Sequence, residues 1–314
     1  MSAWTLRPAQ LKYQLSDWTL GRVTLLLQVR AVQLAEELAP VAQPEAPAEP
    51  LPPGCQGFLI RALPVSSPLP ALARQAGFLR YVDQQYPRYY IDLRQSFEDY
   101  KAKFSSKTRS TLARKVRKFA EHCGGRLQWQ AYRRPEQMED FMRLARQVSA
   151  RSYQERLLDA GLPDSAGFRR ELAALAAADR VRAFILFDGE RPVSYLYCPV
   201  QEEVLIYAYL GYDPDYLRLS VGTVLQWLAL EQLFGEQRFK YFDFTEGESE
   251  HKRLFATHQQ RCANLYFIRR GWRNACIVRS HRLLNRAAER LGALLERYQL
   301  KSRLRRWMRF GAGG

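Results

Sequence analysis

A mixed α/β fold is predicted for this chain by three observations. From Val181 to Phe244 the sequence reads as three apolar, β-prone runs, then an apolar helix, then a short buried strand. The first 95 residues hold further strand-like runs around a proline-rich stretch. Basic charge is concentrated in two segments with helical spacing.

Taken in order, Arg22–Val32, Gly57–Leu63 and Gly77–Val82 read as strands. Pro40–Pro53 carries six prolines in fourteen residues, so it reads as an exposed, semi-rigid insert. Ser105 or Ser106 is placed to N-cap a helix beginning near Lys107, with Leu112, Val116, Phe119 and Ala120 as its apolar face. Gln137–Arg151 and Ser165–Ala178 show apolar residues at three- and four-residue spacing and read as helices. Val181–Phe187 and Pro192–Val200 are strands joined at an Asp188-Gly189 turn signal, and Val204–Tyr212 is the third strand. Both later runs alternate with the two-residue period of half-buried strands. After the polar break at Asp213–Asp215, the helix Val224–Phe234 is expected to stop at Gly235. Tyr241–Phe244 reads as a buried strand and Cys262–Ile268 as a final one. From about Val278 to Phe310 an amphipathic basic helix is expected, with Leu284, Leu291 and Tyr298 seven apart.

The strongest site candidate is the turn opening the helix at Val224. The first amides of a helix have no partner within it and carry the positive end of its dipole, and a glycine there lets a phosphate approach closely. Ser220, Val221, Gly222 and Thr223 supply such a turn, with Arg218 adding charge. The plain alternative is an ordinary helix start with Ser220 as N-cap. A second cluster follows the strand Tyr241–Phe244: Asp243, Glu246, Glu248, His251 and Lys252. Chemistry at an alcohol or amine requires a group that takes its proton and, at a carbonyl, a group that polarises the oxygen. Glu246 or His251 suits the first role, and Lys252 pairs with Asp243 or binds a ligand. A solvated acidic loop is the bland reading of the same residues.

The block Ser220-Val221-Gly222-Thr223, Asp243-Phe244…Gly247…Lys252 and the upstream Ser105-Ser106-Lys107-Thr108-Arg109 resembles GNAT-type acetyltransferases of the CelD/BcsL group, linked to bacterial polysaccharide biosynthesis. The resemblance spans residues 85–270. That group usually shows D-F-x-x-G-x-x-x-Y-K at the second motif, and His251 stands here where Tyr is usual. Starting the usual phosphate-turn pattern at Arg218 leaves only Gly222 of its glycine positions as glycine. The resemblance implies a GNAT fold and acetyl-CoA, or another acyl-CoA, as co-substrate. It also implies a sugar or polysaccharide-precursor acceptor, and two GNAT-like halves as in Fem-type peptidyltransferases, the first degenerate. On that basis residues 1–120 form the degenerate half, 121–278 the acyl-CoA-binding half and 279–314 a basic tail. Lys107, Arg109 and Tyr153 are then acceptor-binding candidates; for the first two a solvated basic helix is the plain alternative.

Composition narrows the rest. The net charge is +16. Arg269–Arg309 holds thirteen Arg or Lys against Glu289 and Glu296, and Lys101–Lys118 holds eight basic residues and no acid. The tail therefore packs its leucines on the body, docks on an anionic membrane or a synthase complex, or binds nucleic acid; its lack of interleaved aromatics ranks nucleic acid last. Five cysteines without CxxC spacing argue against a disulfide framework and a zinc cluster, and Cys198 reads as core. No signal peptide or membrane-spanning run is visible, so a cytoplasmic protein, peripheral at most, is expected. The function read from the sequence is direct acyl transfer from acyl-CoA. Two other readings are kept: a Fem-like transferase using aminoacyl-tRNA, and a non-catalytic adaptor on a membrane or polysaccharide synthase.

Overall fold

The computed structural model describes residues 3–15, 18–151 and 161–297. In chain order the strands are β1 (Thr5–Leu15), β2 (Trp18–Ala31), β3 (Gly57–Pro64), β4 (Leu72–Gln75) and β5 (Phe78–Asp92). Helices α1 (Phe97–Ala102) and α2 (Ser106–His122), strand β6 (Gln128–Tyr132), and helices α3 (Met138–Ser149) and α4 (Ala166–Ala177) follow. Then come β7 (Val181–Asp188), β8 (Arg191–Gln201), β9 (Val204–Ile206), β10 (Tyr209–Tyr212), α5 (Val221–Glu236) and β11 (Tyr241–Asp243). The last are α6 (Glu250–Phe255), β12 (His258–Arg269) and α7 (Trp272–Arg297). The predicted mixed α/β class is what the chain adopts.

The chain divides into two compact units. One comprises Met1–Gln33, Leu38–Gln85 and Arg261–Gly314; the other comprises Leu34–Glu37 and Tyr86–Gln260. These divisions fall at 85/86 and 260/261, where the sequence reading placed them at 120/121 and 278/279.

In the first unit, β1 pairs antiparallel with β2, β2 runs parallel to β3, and β3 pairs antiparallel with β12. Strand β4 folds back on Phe78–Tyr81. Leu25, Leu27, Leu59, Tyr81, Tyr266 and Val278 share one core, which includes the buried face of α7. The proline-rich stretch is irregular and mostly exposed, tied by Val41 to Val65 and Pro64.

The second unit holds the predicted strand–helix–strand block. Strand β8 lies between β7 and the β9/β10 segment, and β11 lies parallel to β9 and antiparallel to Tyr90–Asp92. Side chains alternate faces along a strand, and here both faces are covered. Phe184, Leu186, Leu196 and Cys198 pack with α2 and α5, whereas Ala183, Ile185, Tyr195 and Tyr197 pack with α3 and α4. For β8 the expectation of a half-buried strand is corrected by this packing, whereas β9 and β10 are part-buried; burial on both sides is also why Val181–Phe187 is almost continuously apolar.

Three further differences have local causes. The single strand expected over Val204–Tyr212 is two. Leu205 pairs with Val200 and Tyr209 with Tyr197, so three residues oppose two and the strand bulges at Tyr207 and Ala208. Helix α5 runs through Gly235 and ends at Glu236, whose carboxylate pairs with buried Arg182 at 2.8 Å; Gln237 takes the left-handed conformation (φ 46°). The expected strand Gly77–Val82 is the start of the longer β5, while β1, β4 and β6 are additional. Strand β6 shows little apolar pattern because only Tyr132 of its five residues is buried.

Gly211 in β10 is required by close approach. A Cβ there would sit 2.2 Å from the Tyr195 ring. Gly211→Ala is expected to lower stability by about 2 kcal/mol, as overpacking of a tight core does, read from the urea midpoint.

Candidate active site

The bulge at Tyr207 opens the site. Strand β9 stays with β11, to which Tyr207 N–H still donates through the Asp243 carbonyl at 2.9 Å. Strand β10 instead follows β8. The two parts diverge after Tyr207, and a cleft of about 510 Å³ is lined by Tyr207, Leu210, Tyr212, the turn Ser220–Thr223, and Ser249, His251 and Lys252. The two motifs read separately in the sequence therefore meet in one cavity.

The turn is held from behind. Buried Asp213 caps it by accepting the Asp215 N–H, and its carboxylate takes Arg191 at 2.6 Å and Arg151 at 3.1 Å. Burial alone would raise the Asp213 pKa, but these hydrogen bonds hold it below the usual carboxylate range. Tyr216 donates to Asp188 at 2.7 Å, and that bond lowers the Asp188 pKa. Ser220 sits at the N-cap position in left-handed conformation (φ 55°), and its hydroxyl makes no cap hydrogen bond. Its carbonyl accepts the Thr223 and Val224 N–H groups at 2.9 and 3.0 Å. Helix geometry leaves the Val221 and Gly222 amides without i−4 partners, while the Thr223 amide is turned inward. Gly222 packs against β10: a Cβ there would lie 3.2 Å from Leu210 and 3.4 Å from Tyr212. Arg218 is exposed and outside the lining, its carbonyl accepting Lys118 Nζ at 3.3 Å.

Across the cleft, Ser249 caps α6 by accepting the Lys252 N–H at 3.2 Å. His251 Nε2 contacts Gln226 Oε1, and Gln226 is fully buried in α5. With the Gln226 carbonyl oxygen as partner, Nε2 carries the proton and Nδ1 the lone pair; the flipped amide would donate to Nε2 through a nitrogen that otherwise has no partner, and reverses the tautomer. Burial first, then the positive charges of Lys115 and Lys252, push the His251 pKa down to about 4, so the ring is neutral at pH 7. Burial also lowers the Lys252 pKa, against the opposing pull of Asp243 and Glu246; its Nζ donates to the Glu246 carbonyl at 2.6 Å.

The other candidates are dispersed. Asp243 is fully buried and takes Arg88 through Nε and Nη2, while Oδ1 also accepts the Thr245 N–H at 2.8 Å. It supports the turn after β11 and does not line the cleft. Glu246 is exposed and contributes its carbonyl to Lys252. Lys107 and Arg109 occupy the first turn of α2, outside the lining, and Arg109 donates back to the Phe104 carbonyl at 2.8 Å. Lys115, further along α2, is the basic residue whose charge reaches His251. Tyr153 lies outside the described residues. Sequence reasoning missed Arg88, Gln226, Lys115 and Tyr207; a Gln inside an otherwise apolar helix was the one local signal among them. Cys198 is fully buried, and burial raises its pKa, so it stays a thiol. Among the described residues no group of three or more His, Cys, Asp or Glu is placed to hold a metal.

Residues 106–253 match the family model described as an acetyltransferase (GNAT) domain. No curated protein matches the chain. Similar solved structures include FemX (11% identity, 85% of this chain and 88% of that chain, TM-score 0.48). The C-terminal domain of a putative lysylphosphatidylglycerol synthetase from Agrobacterium fabrum is another (12%, 74% and 73%, 0.47). An aminoglycoside acetyltransferase from an uncultured soil metagenomic sample is a third (18%, 39% and 78%, 0.30). By the family match, residues 106–253 carry a GNAT-type domain; that match does not reach the narrower CelD/BcsL group.

Two predictions follow from the electrostatics. Arg88→Met strands a buried carboxylate and is expected to cost about 3–5 kcal/mol, whereas adding Asp243→Leu recovers part of that loss; denaturant unfolding of the single and double variants measures both. Between pH 6.5 and about 4 the unfolded chain protonates His251 while the native fold does not. Stability is therefore present above that window and lost as pH falls through it, by an amount on the order of 3 kcal/mol. His251→Gln should flatten this part of the stability–pH curve.

Proposed function

We propose that this protein transfers an acyl group, acetyl in the first instance, from acyl-CoA to a hydroxyl or amine of a saccharide acceptor, directly and without a covalent enzyme intermediate. The observation that carries this reading is the single cleft joining the Val221–Gly222 amides to His251 and Lys252. Two amides without helical partners at a helix N-terminus, with a glycine where a Cβ would crowd Leu210, suit a pyrophosphate. The bound thioester supplies an activated acyl carbon.

The chain's own residues supply the remainder. His251 is neutral, lines the cleft and has Nε2 against Gln226, so with Gln226 accepting from Nε2 the base that takes the acceptor's proton is Nδ1. Glu246, the other base read from the sequence, is exposed and outside the lining. Lys252 lines the same cleft, and its positive charge would favour a carbonyl or phosphate oxygen of a bound donor. The buried thiol of Cys198 is excluded as a nucleophile by its protonation.

Thermal shift with acetyl-CoA, longer acyl-CoAs and free CoA at matched ionic strength tests the donor. A ligand at one hundred times its Kd adds about 2.7 kcal/mol of stability. Gly222→Trp, checked for folding by circular dichroism, should lose the shift, and Lys252→Gln should reduce it. No shift with any CoA species, together with transfer from aminoacyl-tRNA, would replace the donor. His251→Gln should keep the CoA shift while lowering kcat by about 10²–10⁴-fold. Wild-type turnover should hold from neutral pH down to about 5 and fall as His251 protonates near 4.

A further inference from the structure

Helix α7 belongs to the first unit and has two unlike faces. Val278 and His281 are buried, Ala275 and Ile277 pack on the same core, and His281 bonds the Tyr81 hydroxyl at 2.8 Å and the Lys12 carbonyl at 3.0 Å. The opposite face is a stripe. Trp272, Cys276, Arg279, Leu283, Arg286 and Arg290 fall within about 80° of arc on a 3.6-residue helix, over a length of about 27 Å. All six are exposed, Trp272 at 78% and Leu283 at 66%. Arg269, Arg270 and Arg273 flank the tryptophan. From Arg269 to Arg290 there are seven arginines and one acid, Glu289.

We infer that this stripe docks the protein in the plane of an anionic lipid surface. Exposed Trp and Leu in register with arginines is the pattern of an interfacial helix: the apolar groups enter the headgroup region and the guanidinium groups meet lipid phosphates. Charge complementarity selects the occupant, because six exposed arginines around two large apolar groups would repel a second identical helix. A nucleic-acid partner would use the arginines and leave Leu283 in water. No helix among the described residues is long and apolar enough to cross a bilayer, so the contact lies along the surface. The inference is independent of the donor and acceptor of the proposed transfer.

Flotation of the full chain with phosphatidylcholine vesicles, with and without phosphatidylglycerol, tests it. Binding is expected only with the anionic lipid and should weaken with salt. Replacing Arg279, Arg286 and Arg290 with Gln should weaken partitioning by roughly fivefold per arginine. Trp272→Ser with Leu283→Ser should weaken it further without changing the salt slope. These positions are exposed, so unchanged thermal midpoints are expected throughout. The proposal is overturned by no flotation at low salt, or by wild-type flotation of the arginine triple variant. It is equally overturned if Trp272→Ser with Leu283→Ser instead disperses a dimer seen by light scattering. It also falls if vesicles are ignored while RNA is bound and the triple variant loses that RNA.

Discussion

Asp243 is the residue on which the geometry of the second unit turns. It ends β11, and each of its polar groups holds a different segment. Its carbonyl takes the Tyr207 amide, pinning the end of β9 at the point where the strand bulges. Its carboxylate takes the guanidinium of Arg88 from β5 and the Thr245 N–H of the following turn. A fully buried carboxylate is tolerated only when paired and hydrogen-bonded, and satisfying this one fixes where the strands part. The cleft exists because β9 is held to β11 while β10 is free to follow β8.

The chemistry of the cleft depends on opposed environments a short distance apart. Val221 and Gly222 offer outward amides because Ser220, in a left-handed conformation, withdraws its carbonyl into the helix and caps nothing with its hydroxyl. Backbone strain of this kind persists only where surrounding contacts over-determine it. Here the Asp213 network, with Arg151 and Arg191, performs that restraint. On the other wall, burial and the positive charges of Lys115 and Lys252 keep His251 uncharged. A basic environment that repels an imidazolium keeps the ring uncharged and lowers its basicity. The same positive charge favours an anionic ligand at the turn.

The two basic segments of the chain serve different surroundings. The segment Lys101–Lys118 runs into α2, whose apolar face, Leu112 and Phe119, is buried in the main core. Lys103 from the same segment caps the end of α6 by donating to the Leu254, Phe255 and Ala256 carbonyls, so part of that charge is structural. The α7 stripe has its apolar residues on the exposed side instead. Net charge alone does not separate these cases; the position of apolar residues relative to the arginines does.

Much of the second unit was legible because its signals are local. The hairpin at Asp188-Gly189, the helices at Ser105 and Ser165, and the order strand, helix, strand to Asp243 all follow from periodicity, caps and turn residues. Local signals also placed Gly222, His251 and Lys252 as site candidates. What periodicity could not reveal was the bulge at Tyr207, the length of β5 or the edge strand β6, since these depend on which strand lies alongside. Nor could it show that Asp243 belongs to Arg88, that Gln226 holds His251, or that Lys115 and not Lys107 or Arg109 acts on the cleft. The sequence by itself determined the elements and the residue types able to bind phosphate and move a proton. The tertiary structure alone decided which of them meet, because burial, pairing and charge coupling act between residues distant in the chain, and those contacts set the protonation state on which the proposed chemistry rests.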